Sequence, residues 1–384
     1  MSRALSLRGR VCGALAGAAL IAVLGSAAGA GMVWAASDGS MPGEITVTPI
    51  PPGETPIQLL AGTDGSLWFV TASSQLGEVN PAGQASLTGV TLPKGTMPAT
   101  LAAAGAQGVW VYASTLDYTD GVFACTVTLV RPDGSVFDPT LPTGAVGHYC
   151  DGATGDAGGN LWISLREPSG SGCGCRVGLV AEITPTGAAA LWRPVSSGAF
   201  PSQMTLGSDG AVWVLEGQRD AFVGRYSASG PPTGFASPTP QKWTGIWGRP
   251  DGSLWVAREI YDCSNSCETA TVAVPGVSQS APHIFPVSTA GSQYLVPEQD
   301  QLAVAPDGGL WIAGRENAGV TRFFRMNGSG GIDRSHVLPT GAGGSALEAA
   351  GPIAVTTGGT AWSVVEGGGD AYLARFAPAG PLTP

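Results

Sequence analysis

In a chain of 384 residues of which only 12% are charged, the side chains able to do chemistry gather at one recurring place. Three to five residues beyond a tryptophan stand Arg166 and Glu167, Glu216, Arg258 and Glu259, Arg315 and Glu316, and Glu366. Carboxylates that converge can exchange protons or share a hard cation, Mg²⁺ or Ca²⁺, through oxygen ligands. Glu366, Asp300 and Glu316, with Glu259 beside them, are the candidate cation set, and Glu366 and Asp300 the candidate acid/base pair. Glu216, Arg258, Glu259, Arg315, Glu316 and His148 are candidate ligand contacts. The competing account, given equal weight, is that these charges solvate strand ends and pair with their neighbours for little energy. The sequence contains no His-Glu-x-x-His, no Gly-x-Ser-x-Gly and no phosphate loop ending in Gly-Lys-Ser/Thr.

The elements that must bring those charges together are legible in a repeat. Seven of the eleven tryptophans sit in one phrase, a turn, an apolar residue, the tryptophan and more apolar residues: Trp68, Trp110, Trp162, Trp213, Trp255, Trp311 and Trp362. Their successive spacings, 42, 52, 51, 42, 56 and 51 residues, approximate one four-stranded propeller blade. Asp-Gly precedes the tryptophan at Asp64, Asp209, Asp251 and Asp307, and Gly-Gly at Gly158 and Gly358. The second repeat has Ala106-Gln107-Gly108 instead. Each pair reads as a two-residue hairpin turn into a strand b. A second turn, such as Pro81-Ala82-Gly83 or Pro185-Thr186-Gly187, completes four strands, a to d.

Placed on strand b, the tryptophan is expected to fill the wedge between neighbouring sheets. Trp192, Trp243 and Trp247 fall outside the phrase and are expected at exposed contacts. The last repeat ends too soon for a strand d, while Glu44–Ile50 is an orphan strand of matching type. The expected fold is therefore all-β: a seven-bladed β-propeller of four-stranded antiparallel blades, closed by pairing an N-terminal strand with the last blade. With 59 glycines and 30 prolines, a helical bundle or coiled coil is excluded. Strand b then carries the charged cluster to the start of strand a, on the face that also holds the long b-to-c connections of repeats two, three and five. Long loops on a rigid scaffold suit a binding surface.

The chain opens with Arg3, Arg8 and Arg10, followed by an uncharged run from Val11 to Ala36, so residues 1–36 read as a signal peptide, or alternatively a membrane anchor. The propeller is expected over residues 43–384, secreted or otherwise extracytoplasmic, and monomeric. Without the leader, 15 basic residues face 28 acidic ones, which excludes a nucleic-acid partner. A small molecule or an extracellular or cell-wall protein is the expected partner, and a membrane only if the leader stays. Six cysteines outside the leader read as disulfides in an oxidising compartment. Cys263 can close a short loop on Cys267, whereas Cys173 and Cys175 are too close to bridge easily and are expected to reach Cys125 and Cys150. Of the histidines, His148 before strand a of repeat three is a candidate at the channel mouth. His283 and His336 fall in outer strands d.

The phrases Gly207-Ser208-Asp209-Gly210-Ala211-Val212-Trp213 and Pro250-Asp251-Gly252-Ser253-Leu254-Trp255, with the later Pro-x-Gly turns, resemble the virginiamycin B lyase (streptogramin lyase) family. The resemblance covers essentially the whole chain after residue 43. It implies a seven-bladed propeller and a magnesium-assisted elimination that opens a cyclic depsipeptide at its ester. It also implies an acid/base histidine at the start of strand a in each of the last two blades. Here those two positions hold Asp300 and Pro352, and a family glutamate two residues before the second is Ala350. The acid four residues after the last tryptophan survives as Glu366. Without either imidazole, the expectation is a ligand- or partner-binding module using the loop-rich face. The alternative is a divergent metal-dependent carbon–oxygen lyase or hydrolase acting on a cyclic depsipeptide or an ester-containing small molecule.

Overall fold

The computed structural model describes residues 32–34, 45–92, 99–117, 122–143, 148–166, 178–194, 200–216, 222–236, 243–260, 268–274, 283–286, 302–315, 321–338 and 347–376. Asp-Gly phrases fold as expected into turns between strands a and b, but the turn type differs. In blade one, the Gly62 N–H donates to the Ser66 carbonyl at 2.9 Å and the Gly65 N–H to the Gly62 carbonyl at 3.4 Å. That encloses three residues, a tight turn followed by one left-handed residue, not the two-residue hairpin expected. Only Gly65, at φ 86°, takes positive φ. Asp64 serves as an acceptor: its Oδ1 takes the Ser66 N–H at 3.0 Å. Asp209, Asp251 and Asp307 repeat this with Ala211, Ser253 and Gly309.

Six sheets are four-stranded and antiparallel in the simple order a-b-c-d. Blade one runs Pro56–Ala61, Leu67–Thr71, Gln75–Val79 and Ala85–Thr91. Blade two is Thr100–Ala103, Val109–Asp117, Val122–Val130 and Val136–Phe137, and blade three Tyr149–Gly155, Leu161–Arg166, Gly178–Ile183 and Ala189–Trp192. Blade four is Pro201–Leu206, Val212–Glu216, Phe222–Ser227 and Gly230–Ala236. Blade five is Trp243–Gly248, Leu254–Ile260, Glu268–Val274 and His283–Pro286, and blade six Leu302–Val304, Leu310–Arg315, Thr321–Met326 and Ile332–Val337.

The count of four-stranded blades is thus six rather than seven. The remaining sheet has five strands, because two N-terminal segments, not one, join the last repeat. Ile45–Pro49 pairs with Asp370–Phe376, from Ile45 opposite Phe376 to Pro49 opposite Tyr372, and Met32–Trp34 pairs in turn with Ile45–Val47. Met32–Trp34 lies within the segment read as leader or anchor. The rest of that segment falls outside the described residues. No helix among the described residues is long and apolar enough to cross a membrane.

The wedge expectation for tryptophan holds. Trp110, Trp213, Trp255 and Trp311 are at most 2% exposed, and each apolar cluster joins two adjacent sheets. Trp110 donates its indole N–H to the Gly159 carbonyl in the turn of blade three at 2.9 Å, and Trp255 to the Gly308 carbonyl in blade six at 3.0 Å. Trp192, Trp243 and Trp247 pack on other rings or on the core, which corrects the expectation of exposed contacts for them. Trp243 is buried, Trp247 packs on the blade-five and blade-six core, and Trp192 stacks on Trp162 at 4.9 Å. Inner strands approach so closely that a Cβ on Gly155 would lie 1.6 Å from the Ala103 carbonyl oxygen of the neighbouring blade.

Candidate functional site

Register places the charged ends of strand b beside the starts of strand a, as the sequence implied. Arg166 lies opposite Tyr149, Glu216 opposite Pro201, Arg258 opposite Trp243 and Glu366 opposite Glu348. The seam between blades two and three is the best defined of these places. Tyr149–Gly155 begins there, and a disulfide joins Cys125, on strand c of blade two, to Cys150, with a Cα–Cα separation of 5.2 Å. This corrects the expectation that Cys125 and Cys150 reach Cys173 and Cys175. The two cysteines stand on facing strands of adjacent blades, a proximity that exists only once the sheets pack. Ser114 Oγ fastens the same seam, donating to the Cys150 carbonyl at 2.5 Å.

Beside the staple, Asp151 and Arg166 form an ion pair. The guanidinium lies over the rings of Tyr149 and Phe200, 5.6 and 5.7 Å from their centroids, and its Nε is buried with no hydrogen-bond partner among the described residues. Burial pushes the Asp151 carboxyl above its ordinary range in spite of Arg166, which pulls it down. Burial likewise pushes the Tyr112 phenol up, against a hydrogen bond with Thr100, and the nearby Asp151 charge adds to it. His148, immediately before this strand, is buried. The seam is therefore a guanidinium held between two aromatic rings with one partner carboxylate, suited to recognising a ligand group. Asp151, Tyr149, Phe200 and Tyr112 were missed at the sequence level. The His148-Tyr149-Cys150-Asp151 run and the Trp-plus-four rule for Arg166 together pointed to this place.

Glu216 does not lie open on the face. It is 1% exposed and accepts the Tyr226 hydroxyl. Gly224 makes that possible, since a Cβ there would lie 2.2 Å from Glu216 Oε1. Glu366 is exposed, and Glu348, directly opposite, is a second acid that sequence reasoning did not single out. Arg258 and Glu259 occupy strand b of blade five, and Arg315 ends strand b of blade six. Asp300, Glu316, Cys173, Cys175, Cys263 and Cys267 lie outside the described residues, as does the long loop of blade three. Among the described residues, no group of three or more His, Cys, Asp or Glu side chains is placed to hold a metal ion.

No protein-family model matches the chain, and no curated protein matches it. Solved structures do. The chain is similar to a catalytically inactive histidine-to-alanine variant of virginiamycin B lyase from Staphylococcus aureus with quinupristin. The TM-score is 0.59 at 19% identity, over 87% of this chain and 99% of that one. A streptogramin B lyase structure gives a TM-score of 0.58 at 16% identity, covering 86% of this chain and 96% of that chain. YCF48 bound to a D1 peptide gives 0.55 at 12% identity, over 91% of this chain and 100% of the other. These likenesses establish the β-propeller fold.

Proposed function

We propose that the chain is an exported, seven-bladed propeller that binds a ligand or partner through the face where strand b ends, without lyase chemistry. The observation that carries this reading is the seam of blades two and three. Arg166 lies over Tyr149 and Phe200 beside a disulfide staple and pairs with Asp151. Rigid aromatic and arginine side chains on a fixed scaffold are what binding surfaces concentrate. Two of the similar propellers hold molecules, quinupristin in one and a D1 peptide in the other, which supports a binding role. The lyase structure with quinupristin is described as inactive after loss of one histidine. Pro352 stands here at one of the two family histidine positions, on Glu348–Val355, the strand a of the last repeat.

Ring closure belongs to the same reading. A cluster of Ile50, Leu59, Leu67 and Phe69 with Trp362, Val364 and Leu373 packs blade one on the mixed sheet, which supports that sheet as the seventh blade. Export is supported by the basic residues ahead of the uncharged run and by the disulfide. The deciding experiment is incubation of the purified protein with a streptogramin B depsipeptide and Mg²⁺, followed by mass spectrometry. The depsipeptide is expected to stay intact. Linearised product that disappears in Glu366→Gln would overturn the binding reading in favour of the lyase.

A further inference from the structure

The repeat carries an internal comparison that isolates blade one. In three sheets the residue directly opposite the strand-b tryptophan is an arginine: Arg225 opposite Trp213, Arg325 opposite Trp311, and Arg375 opposite Trp362. Blade four shows what the arginine does. Its guanidinium lies 5.8 Å from the Trp213 ring centroid, and Asp209 Oδ2 accepts from its Nε at 2.9 Å and its Nη2 at 2.8 Å, while Asp209 Oδ1 is occupied by the Ala211 N–H. Arg325 Nη2 donates to Asp307 Oδ2, and Arg375 lies 5.8 Å over Trp362. Blade five reaches the arrangement from the turn, with Arg249 over Trp255 at 5.0 Å and 3.2 Å from Asp251.

Blade one keeps the turn aspartate and the tryptophan but sets Glu78 opposite Trp68. Asp64 Oδ1 holds the Ser66 N–H, as its counterpart does, the Ser66 side chain acts on the same carboxyl, and among the described residues no ion pair joins Asp64 to an arginine as in blades four and six. Trp68 is half-buried, unlike Trp213 or Trp311, and the adjoining turn of blade two is the 3-10 turn Gly105–Gln107. A cavity of about 410 Å³ opens here, lined by Asp64, Trp68, Glu78, Ala103, Gly105 and Pro132 among others. Blade three also has a glutamate, Glu182, opposite its tryptophan, but fills the place itself. Asn160 bridges Asp156 at 3.0 Å and Glu182 at 2.9 Å, and Trp192 stacks on Trp162.

We propose that the blade-one cavity binds a guanidinium group from outside the chain, between the Trp68 ring and the Asp64 and Glu78 carboxylates. A planar cation that lies over an aromatic ring and donates to the turn carboxylate is the chemistry that blades four and five satisfy internally, and in blade one Glu78 sets a second acceptor where blade four has its arginine. The volume exceeds that of the guanidinium alone and accommodates the rest of an arginine residue. The site lies at the a-to-b turns and is independent of the binding face proposed above.

The test uses the full chain titrated with Nα-acetylarginine amide, with acetyl-Gly-Arg-Gly amide and with the neutral citrulline analogue, followed by calorimetry and tryptophan fluorescence. Both arginine probes are expected to bind saturably, and citrulline at least roughly ten-fold more weakly. Glu78→Arg, which supplies the guanidinium internally as in blades four and six, is expected to abolish binding without lowering the melting temperature. If that variant fails to fold, Glu78→Gln serves instead, with a loss of several-fold or more in affinity. Tighter binding of the peptide assigns the site to peptide arginine, and equal binding to free arginine-like solutes; both uphold it. Citrulline binding as well as arginine, undiminished binding in the folded variant, or no saturable binding of either arginine probe overturns it.

Discussion

Asp307 shows how much a single turn residue does in this molecule. Burial pushes its carboxyl up, but the Arg325 guanidinium and the Gly309 N–H outweigh burial and hold it below its ordinary value. A carboxyl whose folded pKa is depressed contributes stability that is present above the unfolded value, about 4, and is lost as pH falls through the folded one. The parent is therefore expected to lose melting temperature below about pH 4, and Asp307→Asn to flatten that acid limb. At neutral pH the variant should cost about 1 kcal/mol, the value for a charge-assisted bond discounted for solvent screening. Thermal melts from pH 2 to 7 check both, and parallel profiles would refute the assignment. The Asp-Gly phrase made these aspartates visible in the sequence, but suggested positive φ, whereas glycine takes that conformation and aspartate supplies acceptors. The arginine partners stayed hidden because the hairpins between strands b and c differ in length. Arg225 lies twelve residues after its tryptophan and Arg325 fourteen, so no fixed spacing reveals them.

At the scale of strands and sheets, the tryptophan phrase was legible because a wedge between twisted sheets needs one large apolar side chain at the same place each time. Trp213→Ala is expected to destabilise by roughly 3–5 kcal/mol, measured by urea denaturation, since the ring is 2% exposed and joins blades four and five. The Cys125–Cys150 staple was not legible in the same way. Pairing between cysteines 25 residues apart depends on which strand faces which across the seam, and spacing alone carries no such information. Replacing both cysteines by serine is expected to remove roughly 3 kcal/mol. The reduced parent should follow the same denaturation curve as the double variant. An unchanged midpoint in both would show that the staple adds nothing to stability. Register explains why the charged ends of strand b were predictable, since two antiparallel strands of equal length must end beside each other's beginnings.

For the molecule as a whole, the joint between its two ends matters most. Ile45, Val47 and Ile50 are buried in that joint, each worth about 1.5–3 kcal/mol of apolar burial. Deleting residues 37–52 is expected to lower the melting temperature of the entire propeller in one cooperative transition. A variant that melts like the parent would rule out closure by this strand. The orphan strand was readable because an unpartnered apolar segment and a truncated last repeat complement each other. The fifth strand was not, because Met32–Trp34 sits in a segment whose composition reads as a leader. The pairing of Ile45 with Phe376 also has a consequence in time. A ribosome delivers Phe376 long after Ile45, so the intervening sheets can assemble as they emerge while Ile45–Pro49 waits for Asp370–Phe376. During that interval Ile45–Pro49 keeps the edge that faces Asp370–Phe376 unpaired, and emergence of that partner strand is the event that removes it.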